Sequence, residues 1–227
     1  INLNDYNIDA SILELKLRET QLKDRPKILI ITHIGGYPAD MKKIYNLSKK
    51  YNFKIIEDAS HSIGSKYKYR NKSYSCGACS HADLAVFSFH PVKTVTAGEG
   101  GMVLTNSDEL ARKVRMFASH GMEREQKYFE QWKINNSNGN FDLNKNKNKN
   151  KNKISKIEKA PWLYQQRLLG YNYRITDIQS ALGTSQFKRI KKTISKRKEI
   201  FNSYQKAFKG NKDIICPTIP ENVDPAS

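Results

Sequence analysis

The stretch from Lys27 to Ile56 constrains the fold more than any other. Ile28 to Thr32 is an apolar run, and Asp40 stands where it can cap a helix. Met41, Ile44, Tyr45 and Tyr51 recur near helical spacing, and Phe53 to Ile56 is apolar again. Strand, helix and strand in this order make a βαβ unit, whose crossover joins neighbouring strands that point the same way. An α/β fold around a parallel sheet is the expectation.

The 227 residues allow one large domain or two small ones, and a 38% hydrophobic content suffices for a core. No apolar run approaches the roughly 18 residues needed to span a bilayer. The first residue is Ile1, and no signal-peptide pattern opens the chain, so a cytoplasmic protein without a membrane partner is expected. Cys76, Cys79 and Cys216 are too few and too unevenly placed to staple a secreted domain, which fits a reducing compartment. The formal net charge of +18 raises the question of a polynucleotide partner. Its distribution argues against one. Lys145, Lys147, Lys149, Lys151 and Lys153 alternate with Asn, other lysines sit on polar sides of helical patterns between Lys188 and Lys212, and neither set is interleaved with aromatic stacking platforms.

Beyond the βαβ unit, Ser65 to Ser75 reads as a surface hairpin turning at Arg70-Asn71-Lys72. Strands follow at Leu84 to Phe89 and Met102 to Thr105, and Ser107 can cap a helix through Leu110, Val114 and Phe117. Between Glu123 and Lys159 the periodicity dissolves. The Asn-Lys repetition from Asn144 to Lys153 is too polar to offset its ordering entropy, so a disordered insertion is placed at about 135–159. Order returns at Pro161. Thr176-Asp177-Ile178-Gln179 is a capping-box pattern, opening one long helix through Leu182, Ile190 and Ile194 as far as Phe208. The tail, with Pro217, Pro220 and Pro225, ends without a closing element, as though the chain stops inside a domain. The expected organisation is a large domain over 1–175 and, over 176–227, an interdomain helix with the start of a C-terminal domain.

Three residues converge on the carboxyl ends of the expected parallel strands, where open α/β sheets bind ligands. Asp58 ends the second strand, where an ionised carboxylate can hold a protonated heterocyclic nitrogen through a charge-assisted bond; a helix cap for Ala59 onward explains it as well. Lys93 lies just beyond a buried strand and before Gly98-Glu99-Gly100-Gly101. Partial burial there favours the neutral amine, which can attack a carbonyl and later shuttle protons; the alternative is a loop lysine facing water. Ser88 offers a hydroxyl to a phosphate or to the backbone. The glycines permit close approach of a ligand, or serve only a tight turn. Neither a G-x-x-x-x-G-K nor a G-x-G-x-x-G fingerprint occurs. Cys76-Gly77-Ala78-Cys79 has the spacing of half a zinc site or of a redox pair, yet no second pair follows, and no metal is expected. His33 is read as a satisfied core histidine, although the end of the first strand also allows it to face a ligand. Trp162, Tyr164, Tyr171 and Tyr173 are read as interface or core packing.

Glu57-Asp58-Ala59-Ser60-His61-Ser62-Ile63-Gly64, Val86-Phe87-Ser88-Phe89-His90-Pro91-Val92-Lys93, Gly98 to Asn106 and Leu169 to Gln179 together resemble, in order and spacing, the DegT/DnrJ/StrS family of nucleotide-sugar aminotransferases. The resemblance covers nearly the whole chain except the Asn-Lys run. It implies a three-layer α/β/α large domain of PLP-dependent transferase fold type I and active sites at a homodimer interface. The implied cofactor is pyridoxal 5'-phosphate. Lys93 would carry it as a Schiff base, Asp58 would pair with its pyridine nitrogen, and His61 would lie beside its ring or phenolic oxygen. Ser88 would bind its phosphate, and Asn172 would reach the phosphate of the neighbouring subunit's cofactor. A lysine at position 93 also differs from the family's dehydratase branch, which carries histidine there.

The implied reaction takes the amino group of glutamate to C4 of a UDP-linked 4-keto-6-deoxy amino sugar, for glycan biosynthesis; a related enzyme acting on another keto sugar, of the perosamine type, and a truncated non-catalytic remnant are the alternatives. The family's N-terminal phosphate-binding turn has no match before Asn2, and its small C-terminal domain continues past the position of Ser227. The chain is therefore expected to be an internal part of a longer protein or the product of a broken reading frame.

Overall fold

The computed structural model describes residues 1–125, 128–129 and 162–226. The Asn-Lys run from Asn144 to Lys153 lies outside the described residues. The chain divides into two units, Ile1–Ala111 with Ile175–Ser227, and Arg112–Arg174.

In the first unit the chain opens with helix α1 (Ala10–Glu19), whose free N–H groups at Ser11 and Ile12 are taken by the side chain of Asp9. Strand β1 (Ile28–Thr32), helix α2 (Met41–Tyr51) and strand β2 (Lys54–Asp58) then form the βαβ unit. Asp40 caps α2 as expected, accepting from the Lys43 N–H at 3.0 Å. Asn52 ends the helix in the left-handed region at φ 57°, a conformation its short polar side chain tolerates. Hairpin strands β3 (Lys66–Tyr69) and β4 (Lys72–Ser75) follow, turning at Arg70, and then β5 (Leu84–Ser88) and β6 (Gly101–Leu104).

The main sheet has the order β1-β2-β5-β6. The first three strands are parallel, as the βαβ pattern predicts. Strand β6 differs: it pairs antiparallel to β5, with Ser88 opposite Gly101. Residues 89–100 contain no helix, and parallel pairing needs a crossover that such a connection cannot supply.

Helix α2 turns Met41, Ile44, Leu47 and Ser48 inward, against Ile31, Ile55 and Phe53 and against Ala10 and Leu17 of the α1 region. Side chains alternate across a strand. Ile31 is 1% exposed while Ile30 beside it is 63% exposed, so the described residues cover one face of the sheet and leave the other open.

Helices α4 (Asp177–Lys188) and α5 (Ile190–Ala207) stand where one continuous helix was expected. The capping box forms: the Gln179 N–H donates to Thr176 Oγ1 at 3.3 Å, and the Thr176 N–H to Gln179 Oε1 at 3.1 Å. The break falls at Arg189, at φ −101° and ψ 3°, where the N–H bonds to the Gln186 and Phe187 carbonyls instead of continuing the i−4 ladder. One residue out of step leaves the apolar spacing almost unchanged, so periodicity does not reveal it. Strand β9 (Val223–Asp224) closes the unit by adding to β3.

The second unit contains most of helix α3 (Asp108–Phe117), within which the division falls, and the short strands β7 (Met122–Glu123) and β8 (Gln165–Gln166). Arg112 donates to Glu123 Oε2 at 2.7 Å. Gly121 sits at φ +70°, where any Cβ would lie 1.7 Å from the Leu168 carbonyl oxygen, so only glycine fits. Among the described residues no helix is long and apolar enough to cross a membrane.

Ile44 is fully buried on α2. Ile44→Ala is expected to destabilise the protein by about 2–5 kcal/mol, read as a lowered urea midpoint at unchanged slope.

Candidate active site

Because β1, β2 and β5 are parallel, their carboxyl ends share one edge of the sheet. Thr32 pairs with Asp58, and Asp58 with Val86, while Ser88 lies two residues further along the same face of β5. Thr32, Asp58 and Ser88 therefore project from the open face. Ile31, Glu57, Ala85 and Phe87 project from the packed one.

Asp58 is half-buried. Its Oδ1 accepts the Ser60 N–H at 3.1 Å, and its Oδ2 accepts the Thr32 hydroxyl at 3.4 Å. No helix starts at Ala59, so the cap of a following helix is not its role: the Ser60 contact is a local turn bond. Ser88, the last residue of β5, accepts the His90 N–H at 3.3 Å through its hydroxyl oxygen, and its own O–H remains a donor.

Lys93 sits in the connection 89–100, which is fastened to the end of β5. The Phe89 N–H donates to the Gly100 carbonyl at 2.8 Å, the Ala97 N–H to the Phe89 carbonyl at 2.9 Å, and the Thr96 hydroxyl to the same oxygen at 3.1 Å. Val95 and Ala97 within it are buried. The Lys93 N–H donates to the His90 carbonyl at 3.0 Å. Its side chain is half-buried, and among the described residues no hydrogen bond or ion pair to its amine is found. Gly101 has a structural reason of its own, since a Cβ there would lie 2.8 Å from the Phe87 carbonyl oxygen.

Asp58 and Ser88 thus lie at the ends of adjacent strands, and Lys93 sits in the connection that leaves the second of them. His61 is exposed in the turn that follows β2. Asn172 belongs to the second unit, where it is exposed and bridges to Ser119. In that unit Trp162, Tyr164, Tyr171 and Tyr173 are exposed, not core, and the rings of Tyr171 and Tyr173 stack at 5.3 Å.

Sequence reasoning missed Thr32 and the partner of His33. His33 is a satisfied core histidine: Nε2 lies 2.9 Å from Glu57 Oε1, and Nδ1 accepts the Ala39 N–H at 3.1 Å. Since Nδ1 accepts, the hydrogen is on Nε2 and points at Glu57. Glu57 Oε1 also accepts the Gly77 N–H at 2.7 Å. Its signal in the sequence is a second charge beside Asp58, at an alternating strand position on the same side as Ile55. The ligand atoms of His33, Glu57 and Cys76 lie within 4.8 Å of one another, but both nitrogens of this ring are already engaged. Burial, reinforced by the charge of Glu57, pushes the Cys76 thiol well above its ordinary range, and the same two causes push Cys79 up to about 11.

Residues 1–227 match the DegT/DnrJ/EryC1/StrS aminotransferase family, and the chain belongs to it. Members are pyridoxal-phosphate-dependent, and the α/β architecture is that of fold type I. The chain is 35% identical over 210 residues to UDP-4-amino-4,6-dideoxy-N-acetyl-beta-L-altrosamine transaminase of Campylobacter jejuni subsp. jejuni serotype O:23/36 (strain 81-176), covering 92% of this chain and 44% of that protein. It is 30% identical over 222 residues to the spore coat polysaccharide biosynthesis protein SpsC of Bacillus subtilis (strain 168), covering 98% and 48%. Among solved structures, Helicobacter pylori PseC, an aminotransferase involved in the biosynthesis of pseudoaminic acid, superposes with a TM-score of 0.67 at 31% identity, over 93% of this chain and 45% of that one. The chain spans about half the length of the relatives it matches.

Only thiolates attack a disulfide reagent, so buried thiols held protonated react slowly. At pH 8, Cys216 is expected to react first with an aromatic disulfide, with Cys76 and Cys79 protected until unfolding. Raising the pH toward 11 should speed Cys79 alone of that pair, as peptide mapping of labelled protein would show.

Proposed function

We propose that the protein is a sugar aminotransferase that holds pyridoxal 5'-phosphate at the carboxyl edge of β2 and β5 and moves an amino group from glutamate to C4 of a UDP-linked 4-keto-6-deoxy amino sugar. The observation that carries this reading is Lys93, a half-buried lysine without a partner for its amine among the described residues, on a connection bonded to the strand beside Asp58. The donor set fits the cofactor group for group: an amine for its aldehyde, a carboxylate for its ring nitrogen and a hydroxyl for its phosphate. The choice of sugar is supported by the name of the Campylobacter relative.

When bound, the cofactor supplies an electron sink for the electrons released as the donor's α-proton leaves. Lys93 would hold it covalently and, as the free amine, would take and return that proton. An anionic Asp58 keeps the ring nitrogen protonated, and its bonds from Thr32 and Ser60 aim it. Ser88 would donate to its phosphate. His61 would lie beside its ring or phenolic oxygen, and Asn172 would reach the phosphate of the second subunit's cofactor in a homodimer. Residues 176–227, which pack in one unit with the main sheet and return to it through β9, would link it to a substrate-binding C-terminal part, and the protein would work in the cytoplasm without a metal.

Borohydride reduction of the cofactor complex should place a pyridoxyl adduct on the peptide containing Lys93; an adduct only on the Asn-Lys run would remove the assignment. Asp58→Asn is expected to retain cofactor while losing most transamination, and unchanged turnover would show Asp58 to be structural. With glutamate and a panel of UDP- and GDP-linked keto sugars, 2-oxoglutarate should appear with the UDP 4-keto-6-deoxy amino sugar, and NMR should place the new amine at C4. Differences of methylene scale in such a pocket discriminate by about 10- to 200-fold. Preference for a GDP-sugar or amination at C3 would overturn the substrate and leave Lys93 in place.

A further inference from the structure

Glu57 and Asp58 are consecutive, so they leave β2 on opposite faces: Asp58 toward the open face, Glu57 into the packed core. Glu57 is 2% exposed and His33 is completely buried. A carboxylate removed from water costs several kcal/mol unless paired, and replacing a buried ionic cluster by apolar side chains of the same volume is often neutral for stability. Stability alone therefore gives no reason for a charge at this position. What the cluster does contribute is direction. Its single acceptor oxygen, Glu57 Oε1, takes one hydrogen from His33 at the exit of β1 and one from Gly77 in the turn after β4. His33 is in turn fixed by the Ala39 N–H ahead of α2.

The tie to His33 ends next to a group that holds Asp58. His33 follows Thr32, whose hydroxyl bonds Asp58 Oδ2, and the His33 N–H donates to the Asp58 carbonyl at 3.2 Å. A small slip of β1 along β2 would break the Glu57 cluster and lengthen the Thr32 contact, already 3.4 Å, together. A metal held by His33, Glu57 and Cys76 is the competing use of these side chains. It would require removing the hydrogen that His33 donates to Glu57 and ionising a thiol that burial keeps protonated.

We infer that Glu57 and His33 are positioning residues, which act through the ends of β1 and β2 to aim the carboxylate of Asp58 at the cofactor's ring nitrogen. The inference rests on the role proposed above for Asp58. Partners that stand behind a ligand of an active group typically change its affinity or activity by about 10- to 100-fold when removed.

The test loads the full-length protein with pyridoxal phosphate labelled with 15N in the ring and reads the protonation of that nitrogen by NMR. Glu57→Gln, whose amide oxygen can accept both hydrogens, should keep the protonated signal. Glu57→Leu should move the signal toward the unprotonated position and lower kcat roughly tenfold or more at unchanged KM for the sugar. His33→Phe, which keeps the ring volume and loses both nitrogens, should shift the signal in the same direction, and it decides the matter if Glu57→Leu does not fold. A protonated signal and wild-type kcat in a folded Glu57→Leu or His33→Phe protein would overturn the inference. Asp58→Asn separates the two claims. If it keeps the protonated signal, the reading of Asp58 itself fails; if it loses that signal while the Glu57 and His33 variants keep it, only the positioning role fails. Zinc retained in stoichiometric amount by the wild-type protein and lost from His33→Phe would instead assign the cluster to a metal.

Discussion

Parallel pairing of β2 with β1 on one side and β5 on the other is the interaction on which everything else in the larger unit depends. It brings the carboxyl ends of the strands to one edge, and the register Thr32, Asp58, Val86 decides which side chains meet there. Sliding β2 by one residue against its neighbours would exchange its two faces, turning Asp58 toward the packed side and Glu57 away from His33. Met41, Ile44 and Leu47 of helix α2 pack on the face of Ile31 and Ile55, but the other face carries Ile30, Ile56 and Val86, so apolar packing alone does not distinguish the two. The polar ties of Glu57 do, since only one register places its carboxylate beside His33.

The sequence made the βαβ unit legible because three independent signals agreed on it: apolar runs of strand length, a helical spacing between them and Asp40 at the boundary. The capping box at Thr176 and the hairpin turn at Arg70 were legible for the same reason, as their side chains act within a few residues of chain. Non-local geometry was not. The antiparallel direction of β6 depends on how residues 89–100 fold back, and the break at Arg189 leaves no mark in periodicity.

In the site, Asp58, Ser88 and Lys93 stood out as polar residues at the ends of apolar runs. Glu57 did not, because one charge within a strand looks the same in sequence whether it faces solvent or a buried imidazole. His33 was readable as a core residue, but its partner lies 24 positions away. Pairing of this kind is fixed only once β1 and β2 lie side by side. Of the two readings of the aromatic residues near Tyr171, core packing is excluded because the rings lie exposed on this chain, and an interface remains the reading they fit.

The connection that carries Lys93 is held by bonds between its own ends and by burial of its own Val95 and Ala97. Ordering a loop on binding subtracts entropy from affinity for every residue immobilised, and here that loss has been met during folding. On the reading proposed for Lys93, cofactor arriving at this edge would meet an amine already presented, and covalent capture would not wait for this connection to order.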